Sequence, residues 1–75
     1  MTIQPGQTYR SCKPADREFR ILIVHVNERS ARAVDARNGR PLPVRVSLRS
    51  LHATATAPDG RTRRTGYVLD TPENR

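Results

Sequence analysis

The side chains with chemical potential in this sequence are guanidinium groups. The net charge is +7 and the sequence pI is near 11.3, and every basic residue except Lys13 is arginine. Two groups stand out. Arg45 and Arg49 share one face of Val44-Arg45-Val46-Ser47-Leu48-Arg49 if that segment is extended, because residues of equal parity point the same way along a strand. Arg61, Arg63 and Arg64 crowd into one polar stretch, and Arg20 and Arg32 join the strand surface if their neighbours fall in register. A guanidinium fork matches phosphate oxygens in two parallel hydrogen bonds. The chemistry within reach is therefore a grip on an anionic backbone, which fixes position without reading bases. The same arginine bias also follows from a GC-rich genome, in which case the charge is only a solvated face.

Other chemistry finds little support. Cys12, His25 and His52 are the soft metal ligands, with no Cys-x-x-Cys or His-x₃-His spacing, so no metal site is expected. There is no Gly-x-Ser-x-Gly, and the glycines are too scattered for a phosphate-cradling loop. A chain of 75 residues also has little material to wall a cleft. The expectation is a non-enzyme without cofactors. His25, inside the most apolar segment, reads as a core or rim histidine with one satisfied hydrogen bond, and His52 as exposed. Cys12 is alone, no secretory signal opens the sequence, and the longest apolar run, Ile21 to Val24, is far too short to span a bilayer. A cytoplasmic protein without membrane contact is expected.

The elements that must hold these arginines are strands. Phe19 to Val26 is the richest apolar segment, full of β-branched residues and bounded by turn formers, and reads as the central strand. Thr8 to Ser11 is a short strand before it, and Cys12 to Glu18 a surface loop. Asn27 to Ser30 is a turn into a weaker strand over Ala31–Arg37, and Asn38-Gly39 signals a type I′ hairpin. Pro41 and Pro43 remove donors from one side of the returning chain, so pairing should resume at Val44. From there Val44, Val46 and Leu48 should face the core and Arg45, Ser47 and Arg49 the solvent. Ser50-Leu51-His52 reads as a helical turn with Leu51 tucked inward, Ala53 to Arg64 as a long mobile loop, and Thr65 to Leu69 as a last strand. This order predicts an all-β fold, a small five-stranded SH3-like barrel with one short helical turn before the last strand. It would occupy residues 1–70 as a single domain, with 71–75 a disordered tail. On the central strand both Phe19/Ile21/Ile23 and Leu22/Val24/Val26 are apolar, which requires either a bulge that switches the inward face or a cover from the loop, the tail or a second subunit.

Pro5-Gly6-Gln7-x-Tyr9-Arg10, the basic-then-aliphatic strand, Leu48-x-x-Leu51 and Thr65-Gly66-Tyr67-x-Leu69 resemble a group of small proteins from high-GC Gram-positive bacteria and their phages. The resemblance spans most of residues 5–69. That group is known only as a domain of unknown function, so it implies a compact β-domain in a cellular or phage setting and no active site. Better understood barrels fit less well. A KOW-type barrel wants a Gly-rich first hairpin turn, a methyl-lysine reader needs an aromatic cage, and a proline-peptide reader needs a Trp-bearing groove.

Two functions follow. The first is a basic barrel, with a regulatory role, that holds the phosphate backbone of duplex or structured nucleic acid through Arg45, Arg49, Arg61, Arg63 and Arg64. The second is an interaction module for an acidic protein. The surplus apolar face of the central strand adds a weak homodimer to the expected partners.

Overall fold

The computed structural model describes residues 3–16 and 18–70. The tail expected over 71–75 lies outside them. Six strands follow in chain order: β1 (Thr8–Ser11), β2 (Arg20–Val26), β3 (Ser30–Asp35), β4 (Val46–Ser47), β5 (Leu51–His52) and β6 (Tyr67–Leu69). They form one sheet in the order β4-β3-β2-β1-β6-β5. All pairings are antiparallel except β5 with β6, which is parallel. The two edge strands are joined by a 3₁₀ turn of three residues, Leu48–Ser50, so the sheet curls into a nearly closed small all-β barrel.

The core is made by alternation. Tyr9, Ile21, Ile23, Ala31, Ala33, Val46 and Leu51 are buried together, with Phe19, Val26, Leu42, Leu48, Tyr67 and Leu69 packed around them. Their neighbours Arg10, Arg20, Arg32, Arg45 and Ser47 fall on the opposite, outer face by parity. Small residues on β3, Ala31 and Ala33, leave room for Ile21, Ile23 and the Tyr9 ring. The Tyr9 hydroxyl donates to Gln7 Oε1 at 3.0 Å, so its buried polar end has a partner.

The two-faced apolar pattern of the central strand resolves into a bulge. Ile23 pairs with Ala33 but His25 pairs with Arg32, so Val24 is an extra residue on β2. Before it Ile21 and Ile23 point inward; after it Val26 does, and Val24 and His25 stand exposed. The expectation of a core or rim His25 with a satisfied hydrogen bond is thus corrected: the bulge turns it outward.

The hairpin after β3 departs further. Gly39 takes a positive φ, 73°, but Asn38 does not, so the type I′ turn at Asn38-Gly39 does not form. A longer turn does, closed by Gly39 N–H to Asp35 O at 2.7 Å and Asp35 N–H to Arg40 O at 2.8 Å. Asp35 and Asn38 stabilise it by accepting from the backbone N–H groups of Arg37 and Arg40 with their own side chains.

The predicted strand over Val44–Arg49 is likewise cut down. Only Val46 and Ser47 pair with β3, and Val44 is 72% exposed rather than in the core. The prolines explain this: Pro41 and Leu42 touch β3 once each, and Pro43 then prevents the ladder from continuing until Val46. Ser47 accepts from Arg49 N–H at 3.3 Å, which starts the helical turn at Leu48, upstream of the expected Ser50–His52. Leu51 is buried as predicted, but as an extended residue of β5. That split turns the expected five strands into six.

The stretch 53–64 is a hairpin, not an unstructured loop. Thr56 bridges Thr62, Arg63 N–H donates to Ala55 O at 2.7 Å, and Gly60 N–H donates to Ala57 O at 2.9 Å. No helix among the described residues is long and apolar enough to cross a membrane.

Candidate nucleic-acid interface

The arginines divide by whether an acid meets them. Arg10 and Arg20 are cross-strand partners on the outer face of β1 and β2. Asp70 reaches between them, with Oδ2 2.7 Å from Arg20 Nε and Oδ1 3.8 Å from Arg10 Nε. The hydrogen bond from Arg20 and the charge of Asp70 hold the Arg20 guanidinium protonated even more firmly than usual. Arg37 leans on Asp35 and Arg61 on Asp59, each near the limit of ion-pair distance.

Arg29, Arg32, Arg45 and Arg49 have no such acid among the described residues. The β3–β4 ladder brings them together. Ser30 faces Ser47 and Ala31 faces Val46, and just beyond the end of this ladder Arg32 and Arg45 line one groove. On the other side of the ladder Leu48 N–H donates to Arg29 O at 3.0 Å, and Arg29 and Arg49 flank one shallow depression together with Glu28. All four side chains are exposed. Arg32 and Arg45 line one recess and Arg29 and Arg49 another, and the two recesses make a basic strip along β3 and the chain that pairs with it. His25 lies beside Arg32 across the β2–β3 ladder and is also exposed.

Next to the strip is an apolar groove between Val24, Val34, Leu42, Pro43 and Val44, with Arg32 and Arg45 on its lining. It exists because the bulge pushes Val24 outward and the prolines hold Val44 off the ladder.

Of the five arginines predicted to act together, the structure joins two to the strip and separates three. Arg45 and Arg49 belong to it, although not on one face of one strand, since Arg49 sits in the 3₁₀ turn. Arg61 is 88% exposed at the hairpin tip beside Asp59. Arg63 is half-buried, with its Nη1 3.5 Å from His52 Nε2. Arg64 is exposed on the return of the hairpin. Backbone hydrogen bonds of the hairpin hold Arg61 and Arg63, so these two belong to an ordered hairpin rather than to an unstructured loop. Burial, and then the charge of Arg63, push the His52 imidazole below its usual range. Half-buried His52 corrects the expectation that it is exposed.

Sequence reasoning passed over Arg29, which reads as a turn residue, and left Arg32 conditional on register. The signal for both was the hairpin between Ala31 and Val46, whose register depends on the length of the proline-bearing connection. Cys12, His25 and His52 do not gather, and no group of three or more metal-ligating side chains is found among the described residues. Comparison with protein-family models, curated proteins and solved structures finds no match for this chain.

Proposed function

We propose that this chain is a small, basic, non-enzymatic protein of the cytoplasm that holds the phosphate backbone of duplex or structured nucleic acid against the outer face of β3 and β4. One observation carries the reading: Arg32 and Arg45 line one groove and Arg29 and Arg49 a depression beside it, and none of the four makes an ion pair with an acid among the described residues. Like charges crowded on one surface repel each other, which works against the compact state. An anionic partner removes that cost on binding. The described aromatics are spent inside the barrel: Tyr9 is buried, and Phe19 and Tyr67 are half-buried with ring centroids 6.5 Å apart. Bases have no stacking platform, so the contact is to the backbone and affinity is nearly independent of sequence.

A salt titration on one duplex tests this. Each phosphate contact contributes about 0.9 to the log–log salt slope on duplex DNA. Replacing Arg29, Arg32, Arg45 and Arg49 with Ala should flatten the slope by up to ~3.6, four times the per-contact value. The double variant Arg37→Ala, Arg61→Ala, in which both arginines start out paired with acids, should change it much less. Equal slopes for wild type and the fourfold variant would refute the reading.

The groove favours a second reading. Val24 and Val44 are 47% and 72% exposed beside Arg32 and Arg45, which suits a protein segment that offers acidic and apolar side chains together. A weak homodimer through the same face suits it less, because each strip would meet its own copy.

A further inference from the structure

The two large apolar side chains that stand exposed among the described residues, Val24 and Val44, both line the groove beside the strip. The groove has a volume of about 380 Å³, and its lining carries Arg32 and Arg45 and no carboxylate. Ala33 lines it too, although its side chain is buried in the core, so what Ala33 offers there is backbone. Leu42, Pro43, Val44 and Arg45 also line a second recess, which runs on to Tyr67. The segment 42–45 is thus a ridge with apolar surface on both flanks. An exposed apolar patch with a polar rim marks a contact site for another protein.

We propose that the groove seats a short protein segment in which aliphatic side chains are flanked by carboxylates, and that this segment displaces nucleic acid by taking Arg32 and Arg45. The occupant deepens the second reading above, and the displacement rests on the strip. Charge selects the occupant. A purely apolar segment would take two guanidinium groups out of water without an acceptor, which is strongly unfavourable. A purely acidic one would leave Val24 and Val44 in water. A phosphate backbone meets the arginines but offers the valines little aliphatic surface. A second copy of the chain brings its own strip and a net charge of +7. Carboxylates match the guanidinium forks, the aliphatic side chains between them cover the valines, and an extended segment has a backbone to meet that of Ala33. The same two arginines cannot hold a phosphate backbone at the same time.

The test uses the whole chain and a fluorescein-labelled peptide, Glu-Glu-Val-Leu-Val-Glu-Glu, followed by fluorescence anisotropy at constant ionic strength. The peptide should bind more tightly than Glu-Glu-Ser-Ser-Ser-Glu-Glu, which has the same charge, and than Gln-Gln-Val-Leu-Val-Gln-Gln, which has the same aliphatic centre. Val24→Ser and Val44→Ser, both at exposed positions, should each weaken peptide binding on the order of tenfold, the worth of taking one valine out of water, and leave duplex binding unchanged. Arg32→Ala should weaken both ligands. Saturating peptide should raise the concentration of chain needed to bind a duplex. No binding of the peptide, equal binding of the serine control, or indifference to both valine variants overturns the groove assignment. A dimer in sedimentation that Val44→Ser dissolves would give the groove to a second copy and overturn it too. Duplex binding that is the same with and without saturating peptide overturns the displacement. A chain that binds the peptide with the valine dependence but binds no duplex refutes the strip, and the displacement with it, while it supports the groove.

Discussion

On one side of the barrel Arg10 and Arg20 face each other across β1 and β2, and Asp70 sits between them. On the other side Arg32 and Arg45 line one groove beside β3 and the approach to β4, and neither makes an ion pair with an acid among the described residues. The two pairs share residue type and outward parity. They differ in exposure, Arg10 and Arg20 being half-buried and Arg32 and Arg45 exposed, and in what the chain supplies as a counter-charge. Asp70 is held there by its own backbone, which donates to Thr8 O at 2.8 Å, so the relief of the first pair is built into the sheet. The second pair carries its repulsion unrelieved. Charge density along the sequence does not distinguish these cases, and the position of the few acids does.

The largest expected effect comes from removing what both pairs share. β2 pairs with β1 on one side and β3 on the other, and Ile23 is its fully buried anchor at 1% exposure. Ile23→Ala should lower stability by about 2–5 kcal/mol, the usual loss for truncating a buried aliphatic residue. Urea denaturation measures it, and a loss below about 1 kcal/mol would show that the core is elsewhere.

A smaller effect should follow from exchanging the counter-charges. Asp70→Asn leaves Arg10 and Arg20 unrelieved; the duplex salt slope should steepen and the melting temperature should fall slightly. Val44→Asp places an acid beside Arg45, so duplex binding should weaken while stability changes by no more than about 1 kcal/mol, as for an exposed ion pair. If both variants bind like the wild type, the pairing of arginines with acids has no bearing on binding.

The smallest effect is in pH. Burial and Arg63 hold the His52 pKa below its usual 6.5 in the folded chain. The unfolded chain then binds more protons between the folded and unfolded values, so stability rises with pH across that window. The contribution of His52 is present above pH 6.5 and is lost as pH falls through the depressed folded value. His52→Gln should melt with a shallower decline than the wild type between about pH 7 and about pH 5, and parallel declines would remove His52 from the account.

Much of the barrel was legible in the sequence because it rests on local patterns. The aliphatic run marks β2, the inward Val46 follows from alternation, and the inward Leu51 follows from the turn that tucks it under. The two apolar faces of β2 left a bulge or a cover as alternatives, and the register shift between Ile23 and His25 is the bulge. What was hidden depends on register and on competing local hydrogen bonds. Val44 looks like a core residue until Pro43 is allowed to hold it off the ladder. Asn38-Gly39 looks like a two-residue turn until the Asp35 carboxylate captures Arg37 N–H. Arg61, Arg63 and Arg64 look like one cluster, yet the hairpin sends the first to Asp59 and the second to His52. Arg32 and Arg45, far apart in sequence, come to line one groove only because the β3–β4 ladder ends between them.

The most direct test of the central claim is amide NMR mapping of a short duplex onto the chain at low salt. The strip predicts that shifts concentrate at residues 29–32 and 45–49 and leave Arg10, Arg20 and Asp70 nearly still. Shifts concentrated at residues 61–64, or spread evenly over every arginine, would contradict it.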